Sequence, residues 1–197
     1  MDKEYYVLER PARDEVSLLS ATRNTASEDF RKYGQYLSKP IFFTNDWRDE
    51  NVKAGILEEQ SHILFNGNDI LISKEVVEVL RLLDIQNIDF TSAIYIDDKD
   101  QYHEEYYFVR FRGKVDCWSR IDSDYNKKPR SSSGLHYVYS YSLNDETLQE
   151  IDLKSRLIFK MAGTSLSLCF VHKALAEELL KLGIPGDYLT PVLDYEG

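Results

Sequence analysis

Cysteine is scarce in this 197-residue chain, which holds 2 of them. Neither Cys117 nor Cys169 has metal-type spacing, and a secreted disulfide framework would normally hold more, so both are read as reduced structural thiols of a cytoplasmic protein. The N-terminus, Met1-Asp2-Lys3-Glu4-Tyr5-Tyr6-Val7-Leu8, carries acidic residues where a signal peptide needs a basic region, and its apolar stretch stops at Glu9 and Arg10. No run of about 18 apolar residues occurs, so no segment is expected to satisfy the core of a bilayer. Positive charge is short too: 24 Lys and Arg face 34 Asp and Glu, for a formal charge of −10. Such a surface repels nucleic acid phosphates, which argues against that partner, and attracts a basic protein.

The signatures of chemistry are equally thin. His62, His103, His136 and His172 lack the i, i+4 pairing of a helical zinc site, and each reads as structural. Gly163-Thr164-Ser165 lacks the second glycine of a nucleophile elbow. Gly55 and Gly67 stand alone, so no phosphate-cradling loop is present. Asp97-Asp98-Lys99-Asp100 has carboxylates for a hard cation but no calcium-loop glycine and no distal bidentate glutamate. It reads as a hairpin tip. Lys127, Lys128 and Arg130 form the one local basic patch, inside the loop Lys127 to Gly134, whose small polar residues cannot pack and are expected to be mobile. No metal, cofactor or catalytic residue is assigned.

What the chain does have is 43% hydrophobic residues, enough for a substantial core, and 14 tyrosines, which offer contact area with a hydroxyl at low entropic cost. Glu4 to Leu8 reads as a strand from its aromatic and β-branched content. Ser27 reads as the cap of a short helix to Leu37, with Phe30, Tyr33 and Leu37 at helical spacing and Pro40 closing it. Ile41 to Phe43 follows as a strand, then Asn45 to Asn51 as a polar loop holding Trp47. Glu105 to Arg112 and His136 to Ser142 alternate as antiparallel strands, and Glu146 to Ile151 as a short helix or turn.

One pattern occurs twice. Asn66-Gly67-Asn68-Asp69 turns into the strand Ile70-Leu71-Ile72, Ser73 caps a helix striped by Val76, Leu80 and Leu83, and the chain extends again from Ile88 to Ile96. Later, Cys169-Phe170-Val171 leads into a helix with Leu175, Leu179 and Leu182 in the same stripe, stopped by Gly183, and Pro185-Gly186 turns into Tyr188-Leu189. In this register Lys74/Lys173, Glu78/Glu177, Leu80/Leu179, Leu83/Leu182, Ile85/Ile184 and Thr91/Thr190 are identical. The expected fold is α+β, with mixed or antiparallel sheets and two similar strand-helix-strand units around one core. Residues 1–65, 66–145 and 146–197 are read as segments of one compact domain.

Ile158-Phe159, then Leu168 to Leu182, then Gly183-Ile184-Pro185-Gly186-Asp187-Tyr188-Leu189-Thr190-Pro191-Val192 resembles the C-terminal signature of the polymorphic-toxin immunity proteins numbered eleven, long described as a domain of unknown function. Tyr5-Tyr6-Val7-Leu8, Ile70-Leu71-Ile72-Ser73, and Val115-Asp116 followed by Ser119 are also similar to that family's pattern. The resemblance implies an immunity protein that neutralises a cognate toxin, commonly one delivered between competing bacteria, by tight non-covalent binding inside the producing cell. It brings no catalytic or cofactor residues. The partner would then be a toxin with a basic surface. The candidate partner-binding residues are Asp97, Asp98, Asp100, Tyr102, Glu104, Glu105, Tyr106, Tyr137, Tyr139 and Tyr141, with the tyrosines read as exposed. Two other readings stand beside it: an adaptor or chaperone that loads a secreted effector, and a small metal-dependent hydrolase built on His103 and its neighbouring carboxylates.

Overall fold

The computed structural model describes residues 1–129 and 134–197; Arg130 to Ser133, the centre of the expected mobile loop, lie outside the described residues. The elements run β1 (Tyr5–Leu8), β2 (Leu19–Ala21), α1 (Arg23–Ala26), β3 (Ile41–Asn45), α2 (Arg48–Ala54), β4 (Ile63–Asn66), β5 (Asp69–Ser73), α3 (Lys74–Leu82), β6 (Ile88–Ile96) and β7 (Tyr102–Phe111). There follow β8 (Lys114–Val115), β9 (Asp124–Tyr125), β10 (Val138–Ser140), α4 (Asp145–Gln149), α5 (Leu153–Arg156), β11 (Ile158–Met161), β12 (Cys169–His172), α6 (Lys173–Lys181) and β13 (Leu189–Pro191). The class is α+β with mixed sheets, as the sequence suggests. No helix among the described residues is long and apolar enough to cross a membrane.

The chain forms two compact units, each discontinuous in sequence. A terminal unit comprises Met1–Glu9, Leu82–Asn87 and Gly113–Gly197, and a middle unit comprises Arg10–Arg81 and Ile88–Arg112. In the middle unit six strands lie in the order β2-β3-β6-β7-β5-β4, antiparallel except for β3 beside β6. A parallel bridge from Leu18 to Phe65 joins the two ends of that order, so the sheet is nearly closed. Its interior holds Leu19, Phe30, Ile41, Phe43, Leu64, Leu71, Ala93, Tyr95 and Phe108. In the terminal unit five strands lie in the order β13-β1-β12-β11-β8, with β9 and β10 paired separately. Its core includes Tyr5, Val7, Trp118, Tyr141, Leu148, Phe159, Phe170 and Tyr195, and the buried Cys117 and Cys169 are not joined in a disulfide.

The repeated pattern is a repeated topology. In the middle unit β5 and β6 are both antiparallel to β7, so the crossover through α3 leaves two parallel strands with β7 between them. In the terminal unit β12 and β13 are likewise both antiparallel to β1, beneath the crossover through α6. The correspondence is residue for residue. Leu71 opposes Phe108 and Thr91 opposes Phe108, while Phe170 opposes Val7 and Thr190 opposes Val7. Glu105-Tyr106-Tyr107-Phe108-Val109 therefore matches Glu4-Tyr5-Tyr6-Val7-Leu8. The match extends outward, because β4 pairs with β5 as β11 pairs with β12, and the parallel neighbours Leu18 and Lys114 oppose Phe65 and Lys160. The strand that fills the second crossover comes from the opposite end of the chain. Even the ion pairs repeat: Lys74 Nζ lies 3.5 Å from Glu105 Oε1, and Lys173 Nζ lies 2.9 Å from Glu4 Oε1.

Both helices bury the first two stripe positions, Val76 and Leu80 or Leu175 and Leu179, and half-bury Leu83 or Leu182. Both also end on a residue in the left-handed region, Asp84 (φ 54) in one and Gly183 (φ 88) in the other. After α6 the amides of Gly183 and Ile184 donate to Leu180 and Leu179 carbonyls at 3.0 and 3.2 Å, satisfying acceptors that the helix end leaves open.

Two local expectations fail. No helix runs from Ser27 to Leu37; α1 precedes it, and Ser27 closes α1 with its hydroxyl donating to the Asn24 carbonyl at 2.7 Å. The reason is non-local. The buried Arg110 guanidinium, paired with Asp89 at 2.6 Å, donates to the carbonyls of Lys32 and Gln35, and the first of these is the one a helix to Leu37 would give to the Tyr36 amide. Phe30 meanwhile turns inward edge-on to Phe43 and Phe108. Conversely, the Asn45 to Asn51 loop gives way to α2: Asp49 and Glu50 in its first turn and Lys53 in its last complement the helix dipole, and Gly55 (φ 69) ends it.

The two helix starts differ in one respect that pH can read. Ser73 precedes α3, whereas His172 precedes α6 and accepts the Ala174 amide on Nδ1 at 3.2 Å, so this nitrogen must carry no proton. Burial lowers the His172 pKa below its ordinary value of 6.5, against the pull of Glu4 and with help from Arg156 and Lys173. The unfolded chain takes up the proton first. The neutral imidazole's stabilisation is complete above pH 6.5 and is lost as pH falls through the depressed folded value. His172→Ser, which copies Ser73, should flatten the fall in urea midpoint between about pH 7 and about pH 5; an equal fall in both proteins would refute the assignment.

Candidate partner-binding face

The hairpin between β6 and β7 reverses over Asp97 to Gln101, and one carboxylate organises the turn. Asp97 is 4% exposed. Its Oδ1 accepts the amides of Lys99 and Gln101, both at 2.8 Å, and its Oδ2 lies 2.9 Å from His103 Nε2. Burial pushes this carboxyl up, but the imidazole and the two amides outweigh that and hold it below the ordinary 3.8. Asp100 then adopts φ 61, a conformation aspartate tolerates better than most residues.

A second loop is bolted to this tip. Arg48 donates to Asp100 Oδ2 at 2.6 Å and to the Asp98 carbonyl at 3.3 Å, and Asn45 Nδ2 donates to Asp98 Oδ1 at 3.1 Å. The Asp98 amide donates to Glu58 Oε2 at 3.2 Å, and the Ser17 hydroxyl donates to the other oxygen of Glu58. Glu58 titrates above its ordinary value because burial, with Asp98 and Asp97 nearby, outweighs these two donors. Around the joined loops, Asp46, Asp49, Glu50, Glu58, Asp97, Asp98 and Asp100 outnumber Arg48, Lys53 and Lys99. The result is an acidic end of the middle unit, held in place by hydrogen bonds.

The candidate residues from sequence fall on both units. Asp98 is half-buried, and Asp100 in the tip and Tyr102, Glu104 and Glu105 along β7 are exposed, with Glu105 facing Lys74 at 3.5 Å. Asp97 is structural. Tyr106 is half-buried, with its hydroxyl donating to the Ser61 carbonyl at 2.6 Å. Tyr137 and Tyr139, half-buried in the terminal unit, lie with ring centroids 5.3 Å apart. Tyr141 was expected at the surface and is instead 5% exposed, against Phe170 and Tyr195, with burial pushing its hydroxyl up to about 12. It lies just beyond β10, where the chain turns its ring into the core of the terminal unit.

Sequence reading missed the second loop. Trp47 is 51% exposed beside Arg48, and Val52 and Leu57 are 61% and 75% exposed in the same stretch. The available signal was a tryptophan among carboxylates, Asn45-Asp46-Trp47-Arg48-Asp49-Glu50. On the other flank of the hairpin, Ile96 and Tyr102 wall a groove of about 810 Å³ that also touches Ser27, Glu28, Pro40 and Phe42.

A smaller hollow of about 290 Å³ brings together His62, Ser73, Glu75, His103, Glu104, Glu105 and Tyr106. His62 Nδ1 lies 2.8 Å from Ser73 Oγ. The Ser73 hydroxyl donates to Glu75, which lowers that carboxyl's pKa, so the serine proton serves the start of α3. His103 is engaged with Asp97. Among the described residues, no group of three or more histidine, cysteine or acidic side chains is placed to hold a metal ion.

No protein-family model matches the chain, and no curated protein matches it.

Because Asp97 is buried with its oxygens committed, Asp97→Ala should cost about 3 kcal/mol by leaving His103 and two amides unpartnered. Urea unfolding measures the cost, and faster hydrogen exchange at Lys99 and Gln101 localises it; a loss below about 0.5 kcal/mol would show that the tip holds without this carboxylate.

Proposed function

We propose that the chain is an immunity protein, which neutralises a cognate toxin of basic surface by tight non-covalent binding in the cytoplasm of the producing cell. The observation that carries this reading is the acidic end of the middle unit. Its carboxylates are fixed by Arg48, Asn45 and His103 before any partner arrives, so little ordering cost remains to be met on binding. A fixed acidic surface speeds encounter with a basic protein, and exposed aromatics beside it slow release. The resemblance of the Gly183 to Val192 segment to the immunity family supports the same reading.

The polar groups found together bond to one another within the fold: Asp97 holds a turn, the Ser73 hydroxyl donates to Glu75 at the start of α3, and His62 lies 2.8 Å from Ser73. A binding role therefore fits them better than hydrolysis. An effector-loading adaptor would share the acidic face, and the distinction is biological.

Co-expression with a toxin encoded by a neighbouring gene decides. Toxin-producing cells that survive only when this chain is also made support inhibition, whereas an effect on export without protection points to loading. Glu104→Lys with Glu105→Lys, both exposed, should lower the association rate constant with that toxin about tenfold at low salt. An unchanged rate would remove this strand of the hairpin from the encounter surface.

A further inference from the structure

We infer that the helix-loop from Asp46 to Glu59 is the anchoring platform, and that it receives a cationic segment of a partner protein bearing an apolar side chain. This inference rests on the reading of the chain as a protein inhibitor. Single exposed apolar residues are ordinary on any surface. Here Trp47, Val52 and Leu57, at 51%, 61% and 75% exposure, fall within one short stretch of chain. The other tryptophan, Trp118, is 1% exposed, so burial is this chain's alternative for such a ring. Tryptophan is the side chain most enriched among residues that dominate binding energy, and its face attracts lysine and arginine.

Charge selects the partner. Asp46, Asp49 and Glu50 lie within three residues of Trp47 and are exposed, while Arg48 is committed to Asp100 at 2.6 Å. A second copy of this chain, at −10, would be repelled by these carboxylates, and a basic segment would be drawn to them. The platform is also pre-shaped. The Trp47 amide donates to Asn45 Oδ1 at 3.2 Å, and Asn45 is held by Asp98 at 3.1 Å, so the ring is presented from a fixed backbone. The terminal unit has no matched element here. Its strands β11, β12, β13 and β1 correspond to β4, β5, β6 and β7, and no strand pairs beside β13 as β3 pairs beside β6 among the described residues.

The test uses the full chain and a short synthetic peptide of alternating lysine and leucine, with its glutamate–leucine counterpart as control. The lysine peptide should bind at least about tenfold more tightly and blue-shift tryptophan emission. Both effects should vanish in Trp47→Ala and in the triple reversal Asp46→Lys, Asp49→Lys, Glu50→Lys, whose folds are checked by circular dichroism. Equal binding of the two peptides, or binding that survives both variants, would overturn the platform. A concentration-dependent dimer lost in Trp47→Ala would reassign the surface to a second copy and overturn it as well. Cell protection separates the two ideas: if Trp47→Ala protects from the neighbouring toxin as well as the wild type does, the platform falls and the inhibitor reading stands. If the wild type gives no protection while the lysine peptide still binds through Trp47, the inhibitor reading falls and the surface remains.

Discussion

A strand-helix-strand crossover sets its two strands parallel, and in this chain each crossover leaves between them a gap one strand wide. Everything else depends on filling that gap with an antiparallel strand, because unpaired amides and carbonyls in the middle of a sheet would cost a hydrogen bond apiece. In the middle unit the filler is β7, which simply turns back from β6. In the terminal unit the filler is β1, the first strand of the chain, which pairs with β12 on one side and β13 on the other. The same Glu-Tyr-Tyr sequence does both jobs, and the same lysine at the start of the crossover helix meets its glutamate. Those exposed ion pairs add little stability by themselves. Their repetition shows instead that the side-chain environment, as well as the backbone path, has been copied.

This arrangement fixes where the two copies can differ. A hairpin joins β6 to β7 in the middle unit, and at the matching place in the terminal unit lie the two chain ends. The last residues leave β13 through Pro191, which has no amide to offer a further strand, and a 3-10 turn carries them away, with the Gly197 amide donating to the Tyr139 carbonyl at 2.8 Å. The edge of that sheet is thereby closed to extension. In the middle unit the same edge is built outward: β3 pairs in parallel beside β6, and α2 follows it. The acidic end sits where this added edge, through Asn45 and Arg48, braces the tip of the hairpin.

Much of the scaffold was legible in the sequence because its signals are local. The stripe Val76, Leu80, Leu83 and its twin, the Asn-Gly turn, and Gly183 after α6 each state their structure within a few residues. The register of the repeat, read from six identities such as Lys74/Lys173 and Thr91/Thr190, is the register of the strands themselves. The strand β1 is legible as a strand, but its place as the filler of the second crossover is hidden for a topological reason. Its match, Tyr5-Tyr6 to Tyr106-Tyr107, lies out of chain order, and a linear search for repeats does not look from the C-terminal copy back to the first residues. The false helix at Ser27 to Leu37 failed by a distant cause: helical spacing was present, but a guanidinium from β7 claimed the carbonyls. Of the candidate site, the acidic hairpin was legible from composition, whereas the sorting of its carboxylates into structural and exposed ones was not.

That sorting bears on how such a surface can work at all. Like charges gathered at one end repel one another, and an acidic patch left loose would spread its side chains into solvent and lose its shape. Here Asp97 is consumed by the turn, Asp98 by Asn45, Asp100 by Arg48, and Glu58 is shifted toward its neutral form by burial beside them. The inner carboxylates thus act as the frame, and the outer ones, Asp46, Asp49, Glu50 and Glu104, carry the field, while Glu105 faces Lys74. On the proposed reading, a basic partner would meet outer carboxylates carried on a backbone that the inner ones already brace, so that less of its attraction would go into ordering that backbone.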